Sequence, residues 1–182
     1  MLWIVWFTVV FSYYGMFLWL PSVMVMKGFD MIHSFKYVLI MTLAQLPGYF
    51  TAAWLIEKAG RKFVLATYLT GTAVSALLFG NAESLTMLLV FGAFLSFFNL
   101  GAWGALYAYS PEQYPTIIRG TGTGMAASFG RIGGVLGPLL VGSMLTAGIG
   151  VNVIFAIFCV SILIGALAVA FLGTETKQLE LE

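Results

Sequence analysis

The chain has very little charge for its length. Only 8% of its 182 residues are Asp, Glu, Lys or Arg, whereas 61% are hydrophobic. A soluble domain carries about 25% charged residues, so this chain has no means of covering a surface in water. Its net charge of +1 excludes nucleic-acid binding through bulk electrostatics.

Cysteine is equally scarce, and acidic groups are missing from the apolar runs. A single cysteine excludes a disulfide framework within the chain. No Asp, Glu or His lies deep within an apolar run, and His33 has no second metal-binding side chain at useful spacing. Serine, histidine and carboxylate are not arranged for catalysis. We therefore predict no metal, no cofactor and no enzyme activity.

Long apolar runs divide the chain into six candidate membrane spans. About 20 apolar residues cross the hydrocarbon core as a helix, and each run reaches that length. The spans are predicted at residues 2–26, 36–56, 63–82, 84–109, 120–146 and 151–172. Because the connections are short, we expect one all-α transmembrane domain over residues 1–182, a multi-pass protein of the lipid bilayer.

Positive charges in the short loops predict the orientation of these spans. Five of them fall on one side of the membrane and two on the other. The first group is Lys58, Arg61, Lys62, Arg119 and Lys177, and the second is Lys27 and Lys36. Since the side richer in lysine and arginine is the inner one, both termini are expected in the cytoplasm.

One cation lies where no span end can solvate it. Arg131 is about 10–12 residues into the fifth span, hence about 15–18 Å from its inner end. A cation at such depth costs roughly 2.5–3.5 kcal/mol even on the mildest insertion scale. No acid within the six spans can neutralise it. We interpret it as a substrate-binding residue, with structural pairing to a partner helix as the alternative.

Polar and aromatic residues form stripes on two other spans, because residues three or four apart share a helix face. The stripes are Ser96, Asn99, Trp103, Tyr107 and Ser110 in the fourth span and Thr42, Gln45 and Tyr49 in the second. The first span offers three further aromatic residues, Tyr13, Tyr14 and Trp19. Such stripes suit a binding cavity in the middle of the membrane. Asn99 and Gln45 would equally well hydrogen-bond neighbouring helices, and Tyr107 and Tyr109 are expected at the membrane interface.

Glycine and proline predict close packing and bends. Small residues four apart let helix backbones approach in lipid, and the fifth span has three such pairs. They are Gly120/Gly124, Gly130/Gly134 and Gly133/Gly137. Pro47 and Pro138 lie inside spans and are predicted to kink them, because proline removes a backbone hydrogen bond.

Two motifs resemble those of a known transporter family. Glu57-Lys-Ala-Gly-Arg61-Lys is similar to the short acidic-x-x-Gly-Arg-Arg/Lys loop of the major facilitator superfamily. The segment 109–138, which contains Pro-Glu112, Arg119-Gly and Gly-Arg131-Ile-Gly, resembles the stretch that joins helices ten and eleven in one branch. That branch contains bacterial niacin transporters, aromatic-acid symporters, organic-ion transporters and synaptic vesicle glycoprotein 2. Residues 173–177 resemble the tail of the same branch.

The resemblance implies a fold and a function. The six spans would be the C-terminal half of the family fold, built from two inverted three-helix repeats, with substrate bound between the halves during alternating access. Arginine at the position of Arg131 accompanies anionic substrates in this branch. We therefore expect a secondary transporter of a small organic anion, such as an aromatic carboxylate, in a bacterial inner membrane. Symport with protons occurs in the family. The expected substrate-binding residues are Arg131, Asn99, Trp103, Gln45 and Tyr14.

The same resemblance implies a charge latch at the cytoplasmic end. Glu57, Arg61, Glu112 and Arg119 match family motifs whose ion pairs hold the helix ends together. Exposed pairs of this kind contribute little individually. Their importance would come from being made in one state and broken in another.

A transporter of this family needs a second six-helix unit, which the chain does not contain. We expect either a fragment of a longer transporter or a homodimer in which a second copy replaces the missing N-terminal half. In the homodimer two Arg131 side chains would repel each other unless an anion lay between them. The alternative functions are half of a sugar porter and a non-transporting membrane scaffold or binding protein.

Overall fold

The structure is a computed structural model that describes residues 1–174, which form eight helices and no strand. The helices are α1 (Leu2–Phe17), α2 (Leu20–Met26), α3 (Met31–Leu43), α4 (Gln45–Lys58), α5 (Arg61–Gly80), α6 (Leu85–Glu112), α7 (Arg119–Thr146) and α8 (Val151–Leu172). Lys177 and the rest of the tail after Thr174 lie outside the described residues. The predicted all-α architecture is confirmed.

Five stretches of helix are long and apolar enough to cross a membrane, and α1 with α2 forms a sixth if this bent pair counts as one span. Helices α3 and α4 together make one of the five, over Met31–Lys58. This stretch begins five residues before the predicted second span, because Asp30 caps it by accepting a hydrogen bond from the His33 backbone N–H. A single domain with six membrane-spanning segments stays a prediction.

Prolines explain where the first two spans break. Helix α1 ends at Phe17 and α3 ends at Leu43, each four residues before a proline, Pro21 or Pro47. The carbonyl four residues before a proline loses its helical hydrogen bond. The bend between α1 and α2 is 47°. By contrast, α7 continues through Pro138 without interruption.

Glycines bring α7 against α1, as the sequence predicts. A Cβ added to Gly133 would lie 2.7 Å from the Phe7 carbonyl oxygen, and one on Gly137 would lie 2.5 Å from that of Phe11. The two backbones are therefore in direct contact. The pair Gly120/Gly124 differs, since a Cβ at either position would meet no atom within 4 Å.

The remaining contacts pack α1 against both α6 and α7, the helices that carry Trp103 and Arg131. Helix α1 packs on α7, α8 and α6, while α5 packs on α8 and α6. Rings at these contacts form the core, with Phe79 and Phe155 at 5.0 Å and Phe11 and Phe158 at 5.1 Å between centroids. The expectation of an interfacial Tyr109 is wrong, because its side chain is fully buried beneath Gly173 at the end of α8.

Candidate functional site

Arg131 lies in the middle of α7, twelve residues after the first residue of the helix, Arg119. Its side chain is exposed. Among residues 1–174 no hydrogen bond or ion pair reaches it. Residues 1–174 therefore supply no anionic partner for the Arg131 guanidinium.

Aromatic side chains of the first span cover the same face of α7 on one side of Arg131. Gly134 is one turn further along, and a Cβ there would lie 3.2 Å from the ring of Tyr14. The carbonyl of Pro138, two turns along, accepts a 3.0 Å hydrogen bond from the Trp19 indole N–H. On the other side of Arg131 the face is bare, because Gly124 has no neighbour within Cβ reach. The guanidinium thus lies between a covered and an open stretch of α7.

Four aromatic rings join α1 to α6. Trp103 lies edge-on to Trp6 at 6.1 Å and to Tyr13 at 5.5 Å between ring centroids, and it stacks on Tyr107 at 5.8 Å. Tyr13 in turn contacts Tyr14 at 5.4 Å. These contacts connect the stripe on α6 to the face of α7 that carries Arg131.

Three polar atoms on α6 are buried and have no hydrogen-bond partner among the described residues. They are Ser96 Oγ, Asn99 Oδ1 and Trp103 Nε1. The indole of Trp6 in the same ring cluster differs, since its N–H donates to Ser110 Oγ at 2.9 Å. The predicted stripe therefore contains both satisfied and unsatisfied members.

Gln45 is the first residue of α4, directly after the break at Ala44. Its side chain is half-buried, and one turn later Tyr49 packs over Gly104 of α6, with a Cβ at Gly104 only 3.1 Å from the ring. The structure thus connects Tyr14 to Trp103 through Tyr13, and it brings Tyr49, one turn after Gln45, to Gly104, the residue after Trp103. The roles of Arg131, Asn99, Trp103, Gln45 and Tyr14 in binding stay predictions.

The expected latch residues meet at the end of the bundle where α4, α5 and α6 come together. Arg61 Nη2 donates to Glu57 Oε1 at 3.0 Å, and Arg61 Nε lies 3.2 Å from Glu112 Oε2. The side chains of Arg61 and Glu112 are each 17% exposed, whereas that of Glu57 is 67% exposed. Arg119 donates to the Pro111 carbonyl at 2.9 Å. The pair of Arg61 and Glu112 is therefore the better shielded one, while a latching role stays a prediction.

Charged groups at the opposite end stabilise helix termini. Lys27 donates to the carbonyls of Gly80 and Ala82 at 3.4 and 3.1 Å, and burial lowers its pKa although Glu83 nearby opposes that effect. Asp30 caps α3, and the hydrogen bond from the His33 backbone N–H lowers the pKa of its carboxyl. Among residues 1–174 no three His, Cys, Asp or Glu side chains cluster in a way that could hold a metal.

Sequence reasoning missed Trp6 and the hydrogen bond of Trp19, both of which shape this region. Trp6 lies seven residues before Tyr13, so both share the face of α1 that packs on Trp103. That spacing was available in the sequence. Trp19 was named as an aromatic residue of the first span, but its hydrogen bond to Pro138 lies at the bend between α1 and α2, which no periodicity reveals.

Comparisons with known proteins agree with this architecture. The sequence profile of the Major Facilitator Superfamily matches residues 37–181. A Bacillus subtilis protein named for niacin/nicotinamide transport is 68% identical over the whole chain, which covers 46% of that protein. The niacin transporter NiaP of Acinetobacter baylyi is 51% identical over the whole chain, which covers 42% of it. The Escherichia coli 3-(3-hydroxy-phenyl)propionate transporter is 29% identical over 99% of the chain and 45% of its own length.

The proton:xylose symporter XylE has the same fold. Its structure matches 100% of this chain and 41% of its own with a TM-score of 0.81 at 19% identity. The chain spans less than half the length of the curated relatives named above, and these relatives are named as transporters rather than enzymes. The resemblance drawn from the two motifs is confirmed. The chain belongs to the Major Facilitator Superfamily and has the fold of one six-helix half.

Proposed function

We propose that the chain forms one half of a secondary transporter that moves a small aromatic carboxylate across a bacterial inner membrane by alternating access. Arg131 is the observation that carries this proposal. It is a cation in mid-helix without a partner among residues 1–174, beside a face covered by aromatic rings. A guanidinium pairs with a carboxylate through two parallel hydrogen bonds. The bound anion would offset the cost of holding the charge at this depth.

The names of the relatives support the same class of substrate. Niacin and 3-(3-hydroxyphenyl)propionate are both carboxylic acids that carry one six-membered aromatic ring. Tyr14, Trp103, Asn99 and Gln45 would line the cavity around such a ring. The sugar-porter alternative rests on related motifs in sugar porters, and the likeness to the xylose symporter at 19% identity carries no information on substrate.

Alternating access requires a second six-helix unit opposite this one. An N-terminal six-helix half, within a longer polypeptide or as a separate one, is the unit we propose, because two copies of this chain would bring two Arg131 cations together. Proton coupling would then depend on a titratable group of that half. The particle mass in detergent, with and without a separately supplied N-terminal half, distinguishes a heteromeric pair from a homodimer.

The latch and the orientation complete the proposal. Lys58, Arg61, Lys62 and Arg119 would face the cytoplasm, since loops rich in lysine and arginine stay inside. The pairs of Arg61 with Glu57 and Glu112 would hold this end closed in one state and separate in the other.

Uptake of labelled nicotinate into proteoliposomes that contain this half together with an N-terminal six-helix half tests the proposed function. We expect uptake to be lost in Arg131→Ala and partly kept in Arg131→Lys, because lysine retains the charge but not the bidentate geometry. Lys36→Ala is the matched control, since it removes one exposed cation from α3. Unchanged uptake in Arg131→Ala would refute the role of this residue. Uptake of labelled glucose that nicotinate does not inhibit, without uptake of nicotinate, would favour the sugar porter.

A further inference from the structure

The unpaired atoms of Ser96, Asn99 and Trp103 form a polar column on one face of α6. Each of these atoms is shielded from solvent and lacks a hydrogen-bond partner among the described residues. Leaving a buried polar group unpaired is costly, so nearly all such groups in native proteins find a partner. Three in succession along one helix face therefore indicate that a ligand or bound water belongs there.

Other buried polar side chains show that the fold readily satisfies such groups. The hydroxyls of Ser110 and Thr72 each donate to the carbonyl four residues earlier, at 2.7 Å, whereas Ser96 does not. Trp6 and Trp103 belong to one ring cluster and are both buried. Only the Trp6 indole N–H is satisfied, by Ser110. The hydrogen-bonded indole of Trp6 is therefore the comparison for the unpaired indole of Trp103.

The column lies close to the face of α7 that carries Arg131. Trp103 contacts Tyr13 at 5.5 Å, and Tyr13 contacts Tyr14 at 5.4 Å between centroids. Tyr14 packs against Gly134, one helical turn from Arg131. Two tyrosine rings therefore connect the column to the cation that we propose binds the carboxylate.

We propose that Ser96, Asn99 and Trp103 form a second polar subsite, which binds an uncharged hydrogen-bond acceptor on the aromatic ring of the substrate. This inference rests on the proposed function. An indole N–H can only donate and a carbonyl oxygen can only accept, so Trp103 donates to the ring acceptor, and a bound water donates to Asn99 Oδ1. A ring nitrogen, as in a pyridine carboxylate, meets this requirement, and a plain benzene ring does not.

The subsite would make the protein selective for heteroaromatic acids. A site built to hydrogen-bond one group rejects an analogue without it, because its own buried donor is left unpaired. The penalty for one unpaired buried donor corresponds to about 5–150-fold in affinity. Nicotinate and benzoate are the appropriate probes, since they carry the same carboxylate and differ by a ring nitrogen in place of a C–H group.

Equilibrium binding of both acids to the purified protein assembled with an N-terminal six-helix half, in wild type, Trp103→Phe and Trp6→Phe, tests the inference. Wild type should bind nicotinate about 5–150-fold more tightly than benzoate. Trp103→Phe should lose this preference by weakening nicotinate alone. Trp6→Phe should keep the preference, even if both affinities fall. Equal wild-type affinities would overturn the subsite whether or not either variant folds, and so would a preference that survives in Trp103→Phe.

A separate comparison shows which proposal has failed. If both acids depend on Arg131 but their ratio does not depend on Trp103, the second subsite is wrong and the proposed function stands. If neither acid binds, or if Arg131→Ala binds both acids with wild-type affinity, the proposed function is wrong. The proposed subsite is then wrong as well.

Discussion

Substituting Gly137 by alanine should lower the stability of the protein by forcing α1 and α7 apart. The new Cβ would lie 2.5 Å from the Phe11 carbonyl oxygen and 3.2 Å from the Gly15 Cα. Both neighbours belong to the backbone of α1, so no side chain can rotate away. Overpacking of this kind costs about 1–3 kcal/mol, which corresponds to about 2–12 °C in the midpoint of unfolding for a domain of this size.

Gly124→Ala in the same helix is the matched control. It adds the same methyl group where no atom lies within 4 Å, and both variants gain the same helix propensity of about 1 kcal/mol. Their difference therefore isolates the contact with α1. Cys159 is the single cysteine and is 8% exposed, so a thiol-reactive dye reports unfolding directly. Equal midpoints for the two variants would refute the close approach of α1 and α7.

Three further predictions concern the ends and bends of the helices. Glu112→Gln should destabilise the protein by about 1–3 kcal/mol and more than Glu57→Gln, because the Glu112 side chain is 17% exposed against 67% for Glu57; equal shifts in thermal unfolding would contradict this. Because the pKa of Asp30 is lowered in the folded state, its ionised carboxylate stabilises the fold at pH values above the ordinary pKa of Asp. This contribution is lost as the pH falls through the lowered pKa. Midpoints measured from neutral to acidic pH should therefore fall less in Asp30→Asn than in wild type, and parallel curves would rule out the contribution. Pro21→Ala should reduce the 47° bend between α1 and α2, because the missing N–H is restored; an unchanged distance between spin labels on the two helices would assign the bend to another cause.

Much of the fold could be predicted from the sequence because lipid imposes strong constraints. A helix must satisfy its own backbone in the bilayer, so apolar runs locate α5 to α8 within a few residues of the observed ends. The spacing of Gly133 and Gly137 also predicted a close helix contact, which the structure places against α1. These features depend on local composition alone.

Most features that the sequence did not predict depend on which helices pack against each other. The helix break before Pro21 follows from the same rule as the break before Pro47. It was not predicted, because Pro21 lies near the end of a predicted span. Tyr109 was assigned to the interface from its position, whereas packing under Gly173 buries it. For the candidate site, periodicity found the stripe on α6, but only the tertiary contacts distinguish the satisfied Trp6 from the unsatisfied Trp103.

The affinity of the purified protein, assembled with an N-terminal six-helix half, for labelled nicotinate tests the central claim most directly when wild type, Arg131→Ala and Arg131→Lys are compared. A charge-assisted hydrogen bond contributes about 1.5–3 kcal/mol, so the alanine variant should bind at least about 10-fold more weakly and the lysine variant should lie between it and wild type. Equal affinities in wild type and Arg131→Ala would show that the cation in the middle of α7 does not bind the substrate carboxylate.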